Sequence, residues 1–393
     1  MSPSPTPTTP VPAGTAEGDG LRTGRGAARD LDGVARPRPH LAARIEDRLD
    51  AGVARLLRRR GWTVRIVGYA GYGSQGWVRV LARTLLAAPA VTGEDLPDAG
   101  AAAQTGEERP AAPVRGWRSF LTAPVTGARL EVQVGSATHV LETDRGGYLD
   151  AVVPSDLPPG WHEVTLRSAD GAQAVAPVLV VGAEPTVGIV SDIDDTVMVT
   201  RLPRPLVAAW NTLVRHENAR EAVPGMSRLY RELRRGHEER PVVYLSTGAW
   251  NAAPAIGRFL RRHDYPAGPM LLTDWGPTNT GLFRSGQQHK VTQLRRLFAE
   301  LPQVRWLLVG DDGQHDPEIY AGAVEHHRDR VEAVLIRQLT AAEHVLSHGL
   351  PAATPQTEQA EAAADRPGLE VLQGADGDEL LAQAHERGLV PGG

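Results

Sequence analysis

The sequence predicts an α/β protein, a three-layer αβα parallel sheet preceded by a small antiparallel β-sandwich. Two observations carry that expectation. From Pro185 onward, short apolar runs alternate with helical patterns, the rhythm of a parallel sheet with helices on both faces. Between residues 62 and 183 the runs are strand-like and separated by turn clusters, with no helical pattern between them.

In chain order, residues 1–38 are rich in Pro, Thr, Gly and Ala and are expected to form a disordered arm. Residues 39–61 read as an amphipathic helix, with Leu41, Ile45, Leu49, Val53, Leu56 and Leu57 on one face and Arg44, Arg48, Arg55, Arg58 and Arg59 on the other. Its expected role is docking on the neighbouring domain. Six strands are expected over Thr63–Val67, Trp77–Leu85, Ala128–Val134, Tyr148–Val153, His162–Arg167 and Ala176–Val181, with a polar loop over Glu94–Pro110. The stretch Gly71 to Gly76 fits G-x-G-x-x-G, but a strand rather than a helix follows it. It is read as a hairpin or loop and not as a nucleotide site.

The second domain, residues 184–345, is expected to place a strand up to Ser191, a helix over Met226–Arg235 and a strand over Val242–Leu245. A helix over Pro254–His263, a strand over Met270–Thr273, a helix from Lys290 to residue 299 and a strand from 305 to 309 follow. A helix over Pro317–His327 and a strand over Ala333–Ile336 complete it. Residues 346–393 are expected to be a flexible acidic tail with one short helix near Asp378–Arg387.

Composition narrows the function. A net charge of -5 argues against a general polyanion binder. The absence of cysteine excludes disulfides and thiolate metal sites and fits a reducing cytoplasm. No apolar run approaches the ~20 residues that span a bilayer, and the N-terminus lacks the order of a signal peptide. The expected location is cytoplasmic, with peripheral contact on a membrane.

The chemistry begins at Asp192-Ile193-Asp194-Asp195-Thr196, which directly follows the apolar run Val187–Val190 and Ser191. Two carboxylates two residues apart at a strand end can both face the crevice above a sheet. One can attack phosphorus while the other moves protons. Val242–Leu245 ends in Ser246-Thr247, and Trp306–Gly310 ends in Asp311-Asp312, with Asp316 just beyond. Lys290 is the only lysine, every other member of the 42 Lys+Arg residues being arginine. A lysine retained against that bias marks a place where a compact ammonium is needed between carboxylate and phosphate.

These segments, SDIDDT at 191–196, YLSTGAW at 244–250, His289-Lys290 and GDDGQHDPEIY at 310–320, resemble the haloacid dehalogenase-like phosphatases. Among these they are most similar to the catalytic domain of the actin-patch-associated phosphatidate phosphatases. The chain departs at Thr247-Gly248-Ala249, where an Asn-Ser-Pro-like turn is expected. The resemblance implies a haloacid dehalogenase-like sheet with a minimal cap and a Mg²⁺-dependent phosphomonoesterase acting through an aspartyl-phosphate, with phosphatidate or a related lipid phosphate as substrate. Asp192 is then the nucleophile, Asp194 the acid and base, and Ser246 and Lys290 the remaining catalytic groups. Asp192, Asp311 and Asp316 are expected metal ligands together with Asp194, the last through its backbone carbonyl, and Asp312 is a weaker candidate. Ser246, Thr247, Lys290, Arg201 and Arg204 are expected to bind substrate; the two arginines lie in a segment with Leu202, Leu206, Val207 and Trp210 that suits an anionic headgroup and its acyl chains. The rival readings are a phosphatase of nucleic-acid ends or soluble esters, and a non-catalytic adaptor.

Overall fold

The computed structural model describes residues 52, 54–88, 122–199, 221–273, 286–313, 315–340, 343 and 370–390. The expected N-terminal arm, the loop Glu94–Pro110, Arg201 and Arg204 lie outside the described residues. Of the expected N-terminal helix, residues 54–59 are described as helical, and Arg58 pairs with Asp170 at 3.6 Å. No helix among the described residues is long and apolar enough to cross a membrane.

The first sheet contains β1 (Thr63–Ser74), β2 (Gly76–Ala87), β3 (Thr122–Pro124), β4 (Arg129–Val134), β5 (Ala137–Glu142), β6 (Tyr148–Ser155), β7 (Gly160–Ser168) and β8 (Gln173–Val181). β4 alternates strictly, burying Leu130, Val132 and Val134 while Arg129, Glu131 and Gln133 face out, as a half-covered antiparallel strand should. The hairpin β1–β2 contains the glycine-rich stretch. Ser74 pairs with Trp77, and Gly76 at φ 92° supplies the left-handed residue of the two-residue loop. At Gly71 and Gly73 a side chain would collide with the backbone of Arg79 and Trp77, so these glycines serve close strand approach.

The expected sandwich of two sheets is instead one curled sheet of eight strands, ordered β3-β2-β1-β8-β7-β4-β5, with β6 also on β2. The continuity comes from β1, which pairs antiparallel with β2 on one edge and parallel with β8 on the other, through Gly71↔Val178 to Ser74↔Val181. A register shift between Tyr69 and Tyr72 bends the strand where the second pairing starts.

The second sheet is wholly parallel: β9 (Thr186–Ser191), β10 (Val242–Ala249), β11 (Met270–Thr273), β12 (Val304–Asp311), β13 (Val331–Arg337) and β14 (Glu370–Gly374), ordered β11-β10-β9-β12-β13-β14. Its central strands are near-continuous apolar runs, because a parallel sheet is covered on both faces. The helices are α1 (Met226–Leu233), α2 (Ala253–Arg262), α3 (Gly286–Glu300), α4 (Asp316–His326) and α5 (Gly377–Glu386). α1 packs on α5, and α3 packs on α4.

Residues 370–390 correct the expectation of a flexible tail. β14 pairs along β13 from Ala333↔Glu370 to Arg337↔Gly374, and α5 buries Leu380, Leu381 and Ala384. Their apolar spacing is short and sits beside an Ala- and Glu-rich stretch, which dilutes it in any compositional reading.

The described residues of the two sheets belong to one compact unit. Tyr69 of β1 lies 4.6 Å from Trp250, centroid to centroid, and Tyr148 of β6 lies 6.4 Å from it. Tyr72 donates to Glu300 at the end of α3 (2.6 Å), and Arg79 bonds Glu300 and Asp150. Arg296 completes the cluster on Asp150 at 2.9 Å.

Candidate active site

Strand order places the site. Reading outward from β9, the chain adds β10 and β11 on one side and β12 to β14 on the other, so the order reverses between β9 and β12. Ligands in open parallel sheets collect at that reversal, beyond the carboxyl ends of the strands. In the register, Tyr244, Ser191 and Val309 lie in one row across β10, β9 and β12. One or two residues past that row come Ser246, Asp192 and Asp311. The separate motifs therefore converge because their strands are neighbours in register.

Lys290 is in the second turn of α3 rather than at its opening, since the helix starts at Gly286. Its Nζ lies 2.8 Å from Asp192 Oδ1 and 2.5 Å from Asp316 Oδ1. All three side chains are at most 3 % exposed. Asp192, Asp311 and Asp316 each offer an oxygen within 4.8 Å of the others. Asp192 Oδ2 and Asp316 Oδ2 are buried without a hydrogen-bond partner. Asp311 accepts from Gly313 N (2.8 Å) and, more weakly, from Thr196 Oγ1 (3.4 Å). Gly310 is required here, since a Cβ would meet Asp316.

Asp194 is half-buried and its Oδ2 accepts from Ser246 Oγ at 3.1 Å, while Gly248 N donates to the same serine oxygen at 2.9 Å. Between Asp194 and Thr196 the backbone passes through Asp195 at φ 57°, a left-handed conformation that aspartate tolerates better than most residues. Asp195 N donates to Met198 O at 2.8 Å and closes the turn.

Burial pushes the Asp192 carboxyl well above the usual carboxylate range; Lys290 opposes the rise, and Asp316 and Asp194 add to it. Burial raises Asp311 in the same way, reinforced by Asp316 and Asp192. For Lys290, burial alone would favour the neutral amine, but Asp192 and Asp316 outweigh it and hold the ammonium charged. If all three carboxyls were ionised, one ammonium would leave an excess of negative charge, so the ion-free group favours protonated Asp192 and Asp311. With two orphaned oxygens in an all-oxygen donor set, these residues fit a hard divalent cation such as Mg²⁺.

The structure thus brings Asp192, Asp194, Ser246, Lys290, Asp311 and Asp316 to one crevice. Thr247 is half-buried beside it, its carbonyl accepting from Thr273 Oγ1 at 2.7 Å and its side chain packed against Gly286 at the start of α3. Asp312 turns aside and accepts from Leu339 N at 2.8 Å. The Asp194 carboxylate is engaged with Ser246 and is not part of the three-carboxylate group. Nothing in the sequence singles out Arg337, one arginine among many. Yet its buried guanidinium donates to Asp195 O (2.7 Å), Glu343 Oε1 (2.7 Å) and Ala375 O (3.2 Å).

Residues 187–338 match the family model described as phosphatidate phosphatase APP1, catalytic domain. The chain is 24% identical over 203 residues to phosphatidate phosphatase APP1 of Saccharomyces cerevisiae, a match covering 50% of this chain and 34% of that protein. It is 24% identical over 155 residues to the uncharacterized protein C29B5.04c of Schizosaccharomyces pombe, covering 39% of this chain and 25% of that one. The matches therefore span about a third or less of these relatives. Among solved structures, a carbohydrate acetylesterase from Xanthomonas citri aligns with 10% identity over 78% of this chain and 66% of its own, at a TM-score of 0.27.

Proposed function

We propose that this chain, whose residues 187–338 belong to the family of the phosphatidate phosphatase APP1 catalytic domain, is a Mg²⁺-dependent phosphomonoesterase acting on phosphatidate or a related lipid phosphate. Its parallel sheet and helices are read as the three-layer haloacid dehalogenase-like fold with a minimal cap. The observation that carries the reading is the buried group Asp192, Asp311 and Asp316 around Lys290, with two carboxylate oxygens left without partners.

In this reading Asp192 Oδ2, which no hydrogen bond occupies, attacks phosphorus while Lys290 holds Oδ1. The ester oxygen leaves with a proton from Asp194, giving the alcohol and an aspartyl-phosphate. Asp194 then takes a proton from water as that water attacks phosphorus, releasing phosphate and restoring the Asp192 carboxylate. Ser246 orients Asp194 through their hydrogen bond, and Lys290 balances charge on the phosphoryl group. Asp192, Asp311 and Asp316 would hold Mg²⁺, with the Asp194 carbonyl as a further ligand. The ion supplies the positive charge that lets these carboxylates and a phosphate share one pocket. Thr247, Arg201 and Arg204 complete substrate binding, and a lipid phosphate calls for peripheral contact with a membrane surface.

The test is phosphate release from phosphatidate in detergent micelles, 3′-phosphorylated oligonucleotides and sugar phosphates. Phosphatidate should be preferred. Asp192→Asn should lower release at least about 10³-fold while the circular dichroism spectrum stays unchanged. Turnover by that variant equal to the wild type would remove the nucleophile assignment, and equal rates on all three esters would remove the lipid preference.

A further inference from the structure

We propose that Arg337 is a positioning residue for this site, holding the Asp192–Thr196 loop in the form that turns Asp194 towards Ser246. It is the last residue of β13, and in register it lies between Asp311 on β12 and Gly374 on β14. Its backbone carbonyl accepts from Asp312 N at 3.0 Å. Its side chain is 4 % exposed and reaches over to the loop that follows β9. One residue thus fixes the spacing between the strand end bearing Asp311 and the loop bearing Asp194.

The need for such a tie is local. Asp195 occupies a left-handed backbone well, which non-glycine residues seldom adopt. The turn is closed on its amide side by Asp195 N, which donates to Met198 O at 2.8 Å, and the Asp195 carbonyl is the side that faces Arg337. Nη1 of Arg337 holds it at 2.7 Å, immediately after Asp194. The other two donors anchor the guanidinium itself, Nη2 to Glu343 and Nε to Ala375. The three bonds leave the planar fork in different directions, a pattern that an ammonium on a flexible stem does not reproduce. None of them goes to a carboxylate of the Asp192 group, so Arg337 acts through the loop and touches no reacting atom. Glu343 and Ala375 both lie beyond residue 338, where the family match stops. The support of the loop therefore extends outside the matched segment.

The kinetic part of the test rests on the phosphatase reading, and a second readout does not. In the full chain, Arg337→Ala and Arg337→Lys are compared with wild type for Mg²⁺-dependent phosphate release from phosphatidate micelles. Amide exchange of the segment 192–198 is followed in parallel. Arg337→Ala should lower kcat about 10- to 100-fold, the scale of a small misplacement of reacting groups. KM should stay within about twofold, and added guanidinium ion should recover part of kcat, because the lost group is returned to its cavity. Exchange over 192–198 should accelerate while exchange over β12 stays as in wild type. Arg337→Lys should lie between the two, and it carries the test if the alanine variant does not fold. The proposal is overturned by a kcat within twofold of wild type with unchanged exchange at 192–198. Equal acceleration of exchange throughout the parallel sheet without guanidinium rescue also overturns it, since that is the mark of a merely structural arginine. If wild type releases no phosphate from any ester, the phosphatase reading fails by itself and the exchange pattern alone decides the role of Arg337.

Discussion

Lys290 shows how much one side chain can settle. A guanidinium in its place would have to fit a planar fork between Asp192 and Asp316, whose facing oxygens are 2.8 and 2.5 Å from a single nitrogen. That geometry explains why lysine survives at this position in an otherwise arginine-only chain. The carboxylates around it lead to a prediction for the ion-free chain. Burial raises Asp192 and Asp311, so the folded state keeps their protons to higher pH than the unfolded chain does. Their contribution to stability is full below the usual carboxylate range and is lost as pH rises through the raised folded values. In chelator, the melting temperature should thus carry a downward trend with pH, and Asp311→Asn should reduce that trend. Adding Mg²⁺ at neutral pH should raise the melting temperature of wild type, by a free energy of about 3 kcal/mol at a hundredfold excess over Kd. Asp311→Asn should lose most of that rise, as read by calorimetry; an equal rise in the variant would remove Asp311 from the ligand set.

Among the elements, α3 and the end of β10 have a double attachment. α3 carries Lys290 into the site and, three turns later, offers Glu300 to Tyr72 and Arg79 of the curled sheet. β10 carries Ser246 and is followed directly by Trp250, whose ring packs at a tilt against Tyr69. The Arg79–Glu300 pair is largely buried, with side chains 10% and 13% exposed. A double-mutant cycle of Arg79→Met and Glu300→Gln should show coupling on the order of 1–3 kcal/mol in denaturant unfolding. Coupling below about 0.5 kcal/mol would mean the pair is no brace. The partly exposed Asp150 should couple more weakly to Arg79. Most of these elements could be read from sequence, because β9, β10 and β12 are apolar runs that lead into the candidate site residues Asp192, Ser246 and Asp311. The pairing of β1 with β8 could not be. It depends on a bend at Tyr69–Tyr72 that no periodicity encodes, and it turned an expected sandwich into a single sheet.

In the whole molecule, the parallel sheet is complete only when β14 and α5 are added. Gly377 lies so near Gly225 that a side chain on either would strike the other helix, and Gly377 N donates to Pro224 O at 2.9 Å. Leu372, Leu380 and Leu381 are buried by this docking. At about 2 kcal/mol each they contribute a large part of the ~5–15 kcal/mol that keeps a domain folded. Deleting residues 370–390 should therefore give a chain that melts well below the full one or aggregates through the uncovered edge of β13; a deletion with an unaltered melting curve would contradict this packing. The candidate site was legible wherever chemistry is carried by rare residue types, such as the lone lysine and the clustered aspartates. It was illegible where support comes from common ones, as with Arg337, or from distant segments whose apolar pattern is brief. That last dependence has a temporal side. A ribosome synthesises Asp192, Ser246, Lys290 and Asp311 well before Ala375, and the carbonyl of Ala375 anchors the arginine that steadies the Asp194 loop. A nascent chain that has already displayed every motif residue would still lack its final tether, so competence would wait until residue 375 has emerged.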